Sequence, residues 1–236
     1  EELHKLYPHA RVARMDVDTT RRKGSHAAIL RRFANREVDV LVGTQMITKG
    51  LDFPGVTLVG VVLADTSLNL PDFRAAERTF QLVTQVAGRA GRGDRPGRVV
   101  VQTYQPDHAA LQAAAEHDYH RFFAEEIRFR QELDYPPFAH MIHLVISGED
   151  EAAVAATARN VHRLLVDGGF RGQILGPAPA PLAKLRGKHR HHLVLKGPDI
   201  RAMASEVKAC FAAARGKWRA ARSVSLAVDV DPMSIL

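Results

Sequence analysis

The residues best equipped for chemistry stand in Gln85-Val86-Ala87-Gly88-Arg89-Ala90-Gly91-Arg92. Arginines three apart point the same way on a helical turn. The small residues Ala87, Gly88, Ala90 and Gly91 leave room for another surface to approach them. Paired guanidiniums on such a ledge suit a polyphosphate, because arginine stays charged and offers phosphate oxygens a planar fork of donors. In nucleotide hydrolases arginines of this kind act as fingers on the transferring phosphate. The alternative is a glycine-rich helix end with surface arginines. A second polar stretch, Val42-Gly43-Thr44-Gln45-Met46-Ile47-Thr48-Lys49-Gly50-Leu51-Asp52-Phe53-Pro54, leaves a short apolar segment, which is where a parallel-sheet protein places ligand contacts. Thr44 offers a hydroxyl and a backbone N–H to a phosphate, and Gly50 permits close approach.

A third candidate is basic. Lys184, Arg186, Lys188 and Arg190 alternate with Leu185, Gly187 and His189, and His191 and His192 follow. Alternate residues of an extended backbone share a face, so the four cations are expected on one side, as a ribbon that tracks phosphates. His189, His191 and His192 could stack on a base, though less strongly than Trp or Tyr. A zinc site made from them lacks a nearby cysteine or acid to complete four ligands. Arg215, Lys217, Arg219 and Arg222 surround Trp218 in a second basic run. Trp218 and Phe211 read as packing residues. For both runs the alternative is a solvated face. No Ser-His-Asp set or carboxylate pair is legible.

The whole chain is apolar and charged in ordinary globular proportion, 46% and 25%, with a net charge of +7. That charge is unevenly placed: residues 139–236 hold 14 Lys+Arg against 8 Asp+Glu, and residues 1–138 hold 19 against 18. Such an excess is the footprint of a nucleic-acid partner or an acidic protein tail. No apolar run is as long as a membrane span, and the start does not resemble a signal peptide. Cys210 is the single cysteine, so neither an internal disulfide nor a zinc ribbon is expected, and a reducing cytosol is the expected compartment. The opening Glu1-Glu2 suggests a piece of something longer.

Several elements must position these groups. Glu1 to Tyr7 reads as a helix end, Arg11 to Asp16 as a strand, and Asp18-Thr19-Thr20 as caps for a helix containing Ala28, Ile29 and Phe33. Val38–Val42, Thr57–Ala64 and Arg98–Tyr104 read as strands and Asp72–Gln85 as a helix, giving an α/β layer with a mostly parallel sheet. His108 to Leu133 is helical, a connecting hairpin or one long helix, until Pro136-Pro137 stops it. Beyond the prolines, Ala139–Ser147, Gln173–Leu175, Arg190–Leu195 and Val224–Val230 read as strands. Glu149–Val166 and Asp199–Ala214 read as helices, and Gly176 to Pro181 as a loop. The order β-α-β-β-α-β is the split-βαβ, ferredoxin-like arrangement of an α+β domain.

Together, Val42–Pro54 and Gln85–Arg92 resemble motifs V and VI of a superfamily 2 helicase, in its second RecA-like lobe. The resemblance implies catalytic roles for Gln85, Arg89 and Arg92, a nucleotide-pocket position for Gly50 and Asp52, and a nucleic-acid contact for Thr44. Further strings resemble the PriA, or primosomal protein N′, family of replication-restart helicases. They are Leu68-Asn69-Leu70-Pro71-Asp72-Phe73-Arg74-Ala75-Ala76-Glu77-Arg78, Tyr135-Pro136-Pro137-Phe138, Leu175-Gly176-Pro177-Ala178-Pro179-Ala180-Pro181 and Asp229-Val230-Asp231-Pro232. This resemblance implies most of helicase lobe 2 in residues 1–108, a helical connector in 109–137, and a C-terminal DNA- and protein-binding domain in 138–236. It implies ATP with Mg²⁺, and 3′ to 5′ movement on single-stranded and forked DNA. The implied partners are the acidic tail of single-strand DNA-binding protein and other primosome proteins, in the bacterial cytoplasm. The family's zinc region falls before the position of Glu1. Leu51 stands where the family pattern leads us to expect histidine, which keeps a non-hydrolysing DNA-fork scaffold open as the alternative. No Gly-x-x-x-x-Gly-Lys-Ser/Thr loop occurs in the sequence, so this chain by itself is expected to hydrolyse no ATP.

Overall fold

A computed structural model of the chain describes residues 2–16, 24–44, 53, 55–91, 96–213 and 223–236. The fold is mixed α/β, in two compact units: Glu1–Leu68 with Glu77–Tyr119, and Asn69–Ala76 with His120–Leu236.

The first unit is built on parallel pairing. After α1 (Glu2–Leu6), β1 (Val12–Met15) is followed by α2 (Ser25–Ala34) and β2 (Val40–Gly43). β1 and β2 pair in parallel from Val12↔Val40 to Met15↔Gly43. Asp39 fixes this register: it accepts from the Arg11 backbone N–H at 2.9 Å and from Arg11 Nε and Nη2 at 2.9 and 2.7 Å. The expected caps Asp18-Thr19-Thr20 lie outside the described residues, and the residue before α2 is Gly24, with no side-chain cap. Next come β3 (Leu58–Val61), α3 (Asp65–Leu68), α4 (Ala75–Ala87) and β4 (Arg98–Val101), with β3 and β4 forming a second parallel pair. Asp65 is buried but not idle, since its carboxylate accepts from the Tyr104 N–H at 3.1 Å and ties the end of β4 to α3.

The helical stretch after β4 is a pair: α5 (Ala109–Ala115) and α6 (Tyr119–Glu132), parted where His117 takes φ 54°. α6 lies almost wholly within the second unit, as does the Pro136-Pro137 turn.

In that unit the elements run β5 (His140–Gly148), α7 (Glu151–Asp167), β6 (Gln173–Leu185), β7 (Lys188–Gly197), α8 (Ile200–Ala213) and β8 (Val224–Val230). The sheet order is β6-β7-β5-β8, and every pairing is antiparallel. Asp150 caps α7, accepting from the Ala152 and Ala153 N–H groups, and Asp199 caps α8 through Arg201 and Ala202. Period-2 strands and period-3.6 helices then meet in one core. Ile142, Leu144, Ile146, Leu193 and Leu195 face Val154, Ala158, Val161 and Leu165 of α7 and Met203, Val207 and Cys210 of α8. Each fully buried aliphatic side chain there contributes about 1.5–3 kcal/mol.

The stretch Gly176 to Pro181 is a correction: it is not a loop but the middle of the 13-residue β6. Prolines cannot donate to a ladder, yet β6 is an edge strand and needs only one bonded side. The prolines show instead as irregular pairing, with register shifts between Leu175 and Ala178 and between Pro179 and Lys184.

Candidate nucleotide and nucleic-acid sites

α4 carries the first candidate site. Ala75, Thr79, Phe80, Val83 and Val86 are its buried positions, and Gln85 on another face is exposed. The helix ends at Ala87, before the arginines. Arg89 therefore sits, half-buried, in a tighter turn closed by Arg89 N–H to Val86 O at 3.0 Å and Ala90 N–H to Ala87 O at 3.2 Å. Arg92 lies outside the described residues, as do Gly50, Leu51 and Asp52. Gly88 is exposed, while Ala90 and Gly91 are approached by the chain's own backbone at Gly97. Gly91 has φ 74°, and a Cβ there would come within 2.5 Å of the Gly97 nitrogen. The backbone thus folds on itself on either side of residues 92–95, which requires glycine at both places. Gly91 N–H also donates to Val56 O at 3.1 Å, which ties the turn to the chain before β3. Thr44 is exposed directly beyond the C-terminal end of β2.

The basic ribbon is a second correction. Residues 184–190 are not one extended strand; they form a hairpin whose turn is Arg186-Gly187, with φ 49° and 82°. Positive φ at both central residues is the type I′ geometry of two-residue hairpins. Lys184 pairs with His189, and Leu185 with Lys188. Residues paired across antiparallel strands share a face, so Lys184 lies on the face of His189, Leu193 and Leu195. Lys188 and Arg190 lie on the opposite face, which also carries His143 and Ser147. Lys184, Arg186 and Lys188 are exposed around the tip, while Arg190 is half-buried and donates from Nη1 to Leu182 O at 3.3 Å. The four cations surround a hairpin end and do not line one side.

The histidines divide in the same way. His189 pairs with Glu151 of α7 at 3.4 Å, and His191 shares that face. His192 points to the other face, where its Nδ1 lies 3.1 Å from Nε2 of buried His143. Burial, then the charges of His192 and Arg190, push the His143 pKa down to about 4. Burial, then Arg190 and His191, lowers that of His192. Near neutral pH the two rings are uncharged and share one hydrogen bond. Among the described residues no three His, Cys, Asp or Glu side chains converge as metal ligands. Phe211 packs, partly buried, against the core, and the run Arg215 to Arg222 with Trp218 lies outside the described residues.

One constellation escaped the sequence reading. Asn69–Ala76 belongs to the second unit although it lies between α3 and α4 in sequence. Asp72 accepts from Ser234 Oγ at 2.6 Å, from Ile235 N–H at 3.3 Å and from Arg74 N–H at 2.9 Å. Phe73 is buried on Met141 and Val194, stacks on Tyr135 at 5.5 Å, and lies near the guanidiniums of Arg74 and Arg130 at 5.1 and 5.5 Å. Lys196 stands 3.8 Å from the centre of the Tyr135 ring and donates to Leu133 O at 2.7 Å. The strings Leu68–Arg78 and Tyr135–Phe138 stood out in the sequence by resemblance, but nothing in either shows that they meet.

With this geometry in place, comparison with known proteins is informative. Residues 1–94 match the helicase conserved C-terminal domain, and residues 131–233 match the primosomal protein N C-terminal domain. A replication restart protein PriA from Bacillus subtilis is 50% identical over 197 residues, which is 83% of this chain and 24% of that protein. Its namesake from Synechocystis is 46% identical over 239 residues, 100% of this chain and 28% of the relative. That of Chlamydia pneumoniae is 36% identical over 233 residues, 98% and 31%. The chain belongs to the PriA family. It spans about a quarter to a third of the length of these PriA relatives. Between the helicase match and the primosomal match lie β4, α5 and most of α6. The Asp72–Phe73 constellation joins the sequence around residue 72, inside the first match, to Met141 and Val194, inside the second.

Proposed function

We propose that this chain is the part of a replication-restart protein that supplies motif VI of the second RecA-like lobe and a C-terminal split-βαβ unit for DNA and protein binding. In this reading the longer protein is an ATP-dependent helicase moving 3′ to 5′ from stalled or forked DNA, in the cytoplasm. The observation that carries it is the pairing, on one chain, of the helicase and primosomal matches, with Gln85 and Arg89 held at the end of a helix whose other face is buried. Arg89, and Arg92 outside the described residues, would present guanidiniums to the phosphates of ATP and its Mg²⁺, with Gly50 and Asp52 beside the nucleotide. Thr44 and the hairpin cations Lys184, Arg186, Lys188 and Arg190 would contact DNA phosphates. The acidic tail of single-strand DNA-binding protein and other primosome proteins are the proposed protein partners. Leu51, in place of the expected histidine, favours the scaffold reading.

One experiment separates motor from scaffold. In the longer protein, DNA-stimulated ATP turnover is expected, and Arg89→Ala or Arg92→Ala should lower it about 10³-fold or more while DNA binding persists. No turnover in the parent would establish the scaffold; loss of folding in the variants would make these arginines structural.

A further inference from the structure

Outside the hairpin, the second unit has another set of cations. Arg159, His162, Arg163 and Val166 recur at helical spacing along the flank of α7, beside its buried Val154, Ala158, Val161 and Leu165. They line an open surface cavity of about 370 Å³ whose other side is Pro177 of β6. The wall is displaced at this point by Gly176: its φ is 95°, a Cβ would stand 2.7 Å from His192 O, and the β6–β7 register slips between Leu175 and Ala178. Among the described residues no acid lines the cavity, and neither arginine has a hydrogen-bond or ion-pair partner. Elsewhere in the unit the arginines Arg130 and Arg171 are paired with Glu126 and Glu206. Two guanidiniums one turn apart, left uncompensated over an aliphatic floor of Val166 and Pro177, repel each other until an anion arrives.

We infer that this cavity holds the phosphodiester backbone of a nucleic-acid strand that continues from the β6–β7 hairpin. The inference rests on the DNA-binding reading above. Its second support is the direction of α7. The His189–Glu151 pair sets the first turn of α7 beside the start of β7. At 1.5 Å per residue, Arg159 and Arg163 then follow about 12 and 18 Å further along the helix. A stacked strand rising 3.4 Å per nucleotide covers that distance in about four to five nucleotides. Guanidiniums take phosphate oxygens as a fork, and the aliphatic floor suits the sugar between them. An acidic strand added to the edge of β6 fits less well, because Pro177, Pro179 and Pro181 remove edge donors.

The test uses the whole 236-residue chain and an oligothymidine of about 15 nucleotides, long enough to span both basic sets. Affinity is measured by fluorescence anisotropy across salt concentrations. Arg159→Ala with Arg163→Ala should lower affinity about tenfold or more near 0.1 M salt and flatten the log–log salt slope by about 1.4. Arg159→Lys with Arg163→Lys should recover most of the slope. Arg201→Ala with Lys208→Ala on α8, an equal change in charge, should leave it nearly unaltered. If the parent binds DNA and the α7 variant keeps its slope, the cavity is a solvated face and the inference falls while the DNA-binding reading stands. Equal losses in the α7 and α8 variants would overturn it too, as general electrostatics. If the α7 variant loses only a polyglutamate peptide, the occupant is a protein, and the inference is overturned. A parent that binds no DNA removes both readings.

Discussion

His143 and His192 show how a residue type with a familiar role can be given another by its surroundings. Buried His143 and half-buried His192, side by side, are held uncharged, with the His143 pKa at about 4 against an ordinary 6.5. In the unfolded chain His143 takes a proton as the pH falls through about 6.5; in the folded chain it resists until about 4. The unfolded state therefore binds more protons in this window, and stability rises with pH across it. Between pH 7 and 4 the second unit should lose up to about 3 kcal/mol through His143. Denaturant unfolding of the parent and of His143→Gln, compared over this range, checks the effect, because the variant should respond less steeply. Parallel curves would show that the ring titrates normally. At the end of α4, the sequence could name Arg89 but not its backbone. The two-arginine spacing suggests a continuing helix, while Gly91 and Gly97 bring the chain back on itself just beyond Ala90.

At the scale of elements, what repeats locally was legible and what depends on a distant partner was not. Val154, Val161 and Leu165 announce α7, and Met141, His143 and Val145 alternate as a strand does, although it is Ile142, Leu144 and Ile146 that face the helices. β6 hid behind its prolines, because only the sheet order shows that it is an edge. The hairpin hid inside an alternation that looked like one strand, because Arg186 gives no ordinary turn signal. Its geometry alters what the cations should do. With Arg190 already bonded to Leu182 O, the proposed DNA contact should fall mainly to the exposed tip. Arg186→Ala with Lys188→Ala should flatten the single-strand salt slope by about 1.4, and Arg190→Ala by less than about 0.7. Sequence preference should not change, since phosphate contacts carry no base information. If Arg190→Ala has the larger effect, the strand lies on the His143 face of the sheet and not at the tip.

For the whole molecule, the decisive feature is that its second unit is assembled from two separated pieces of sequence. Phe73→Ala removes a buried ring from that assembly and should cost about 3 kcal/mol or more. Faster hydrogen exchange at Met141 and Val194, with little change at β1 and β2, is the expected reading; equal exchange would show that the ring adds nothing. No local pattern could have revealed this join, because Asp72 and Ser234 are 162 positions apart. The separation also has a consequence in time. A ribosome adding about 5–20 residues per second delivers Ser234 roughly 10–30 s after Asp72. Throughout that interval Phe73 is already made, while Met141, Tyr135 and Val194, which will cover it, arrive one after another. The strip around Phe73 thus stands as an exposed apolar ring from its own synthesis until Val194 is made. During manufacture, then, this strip is made well before the residues that will cover it.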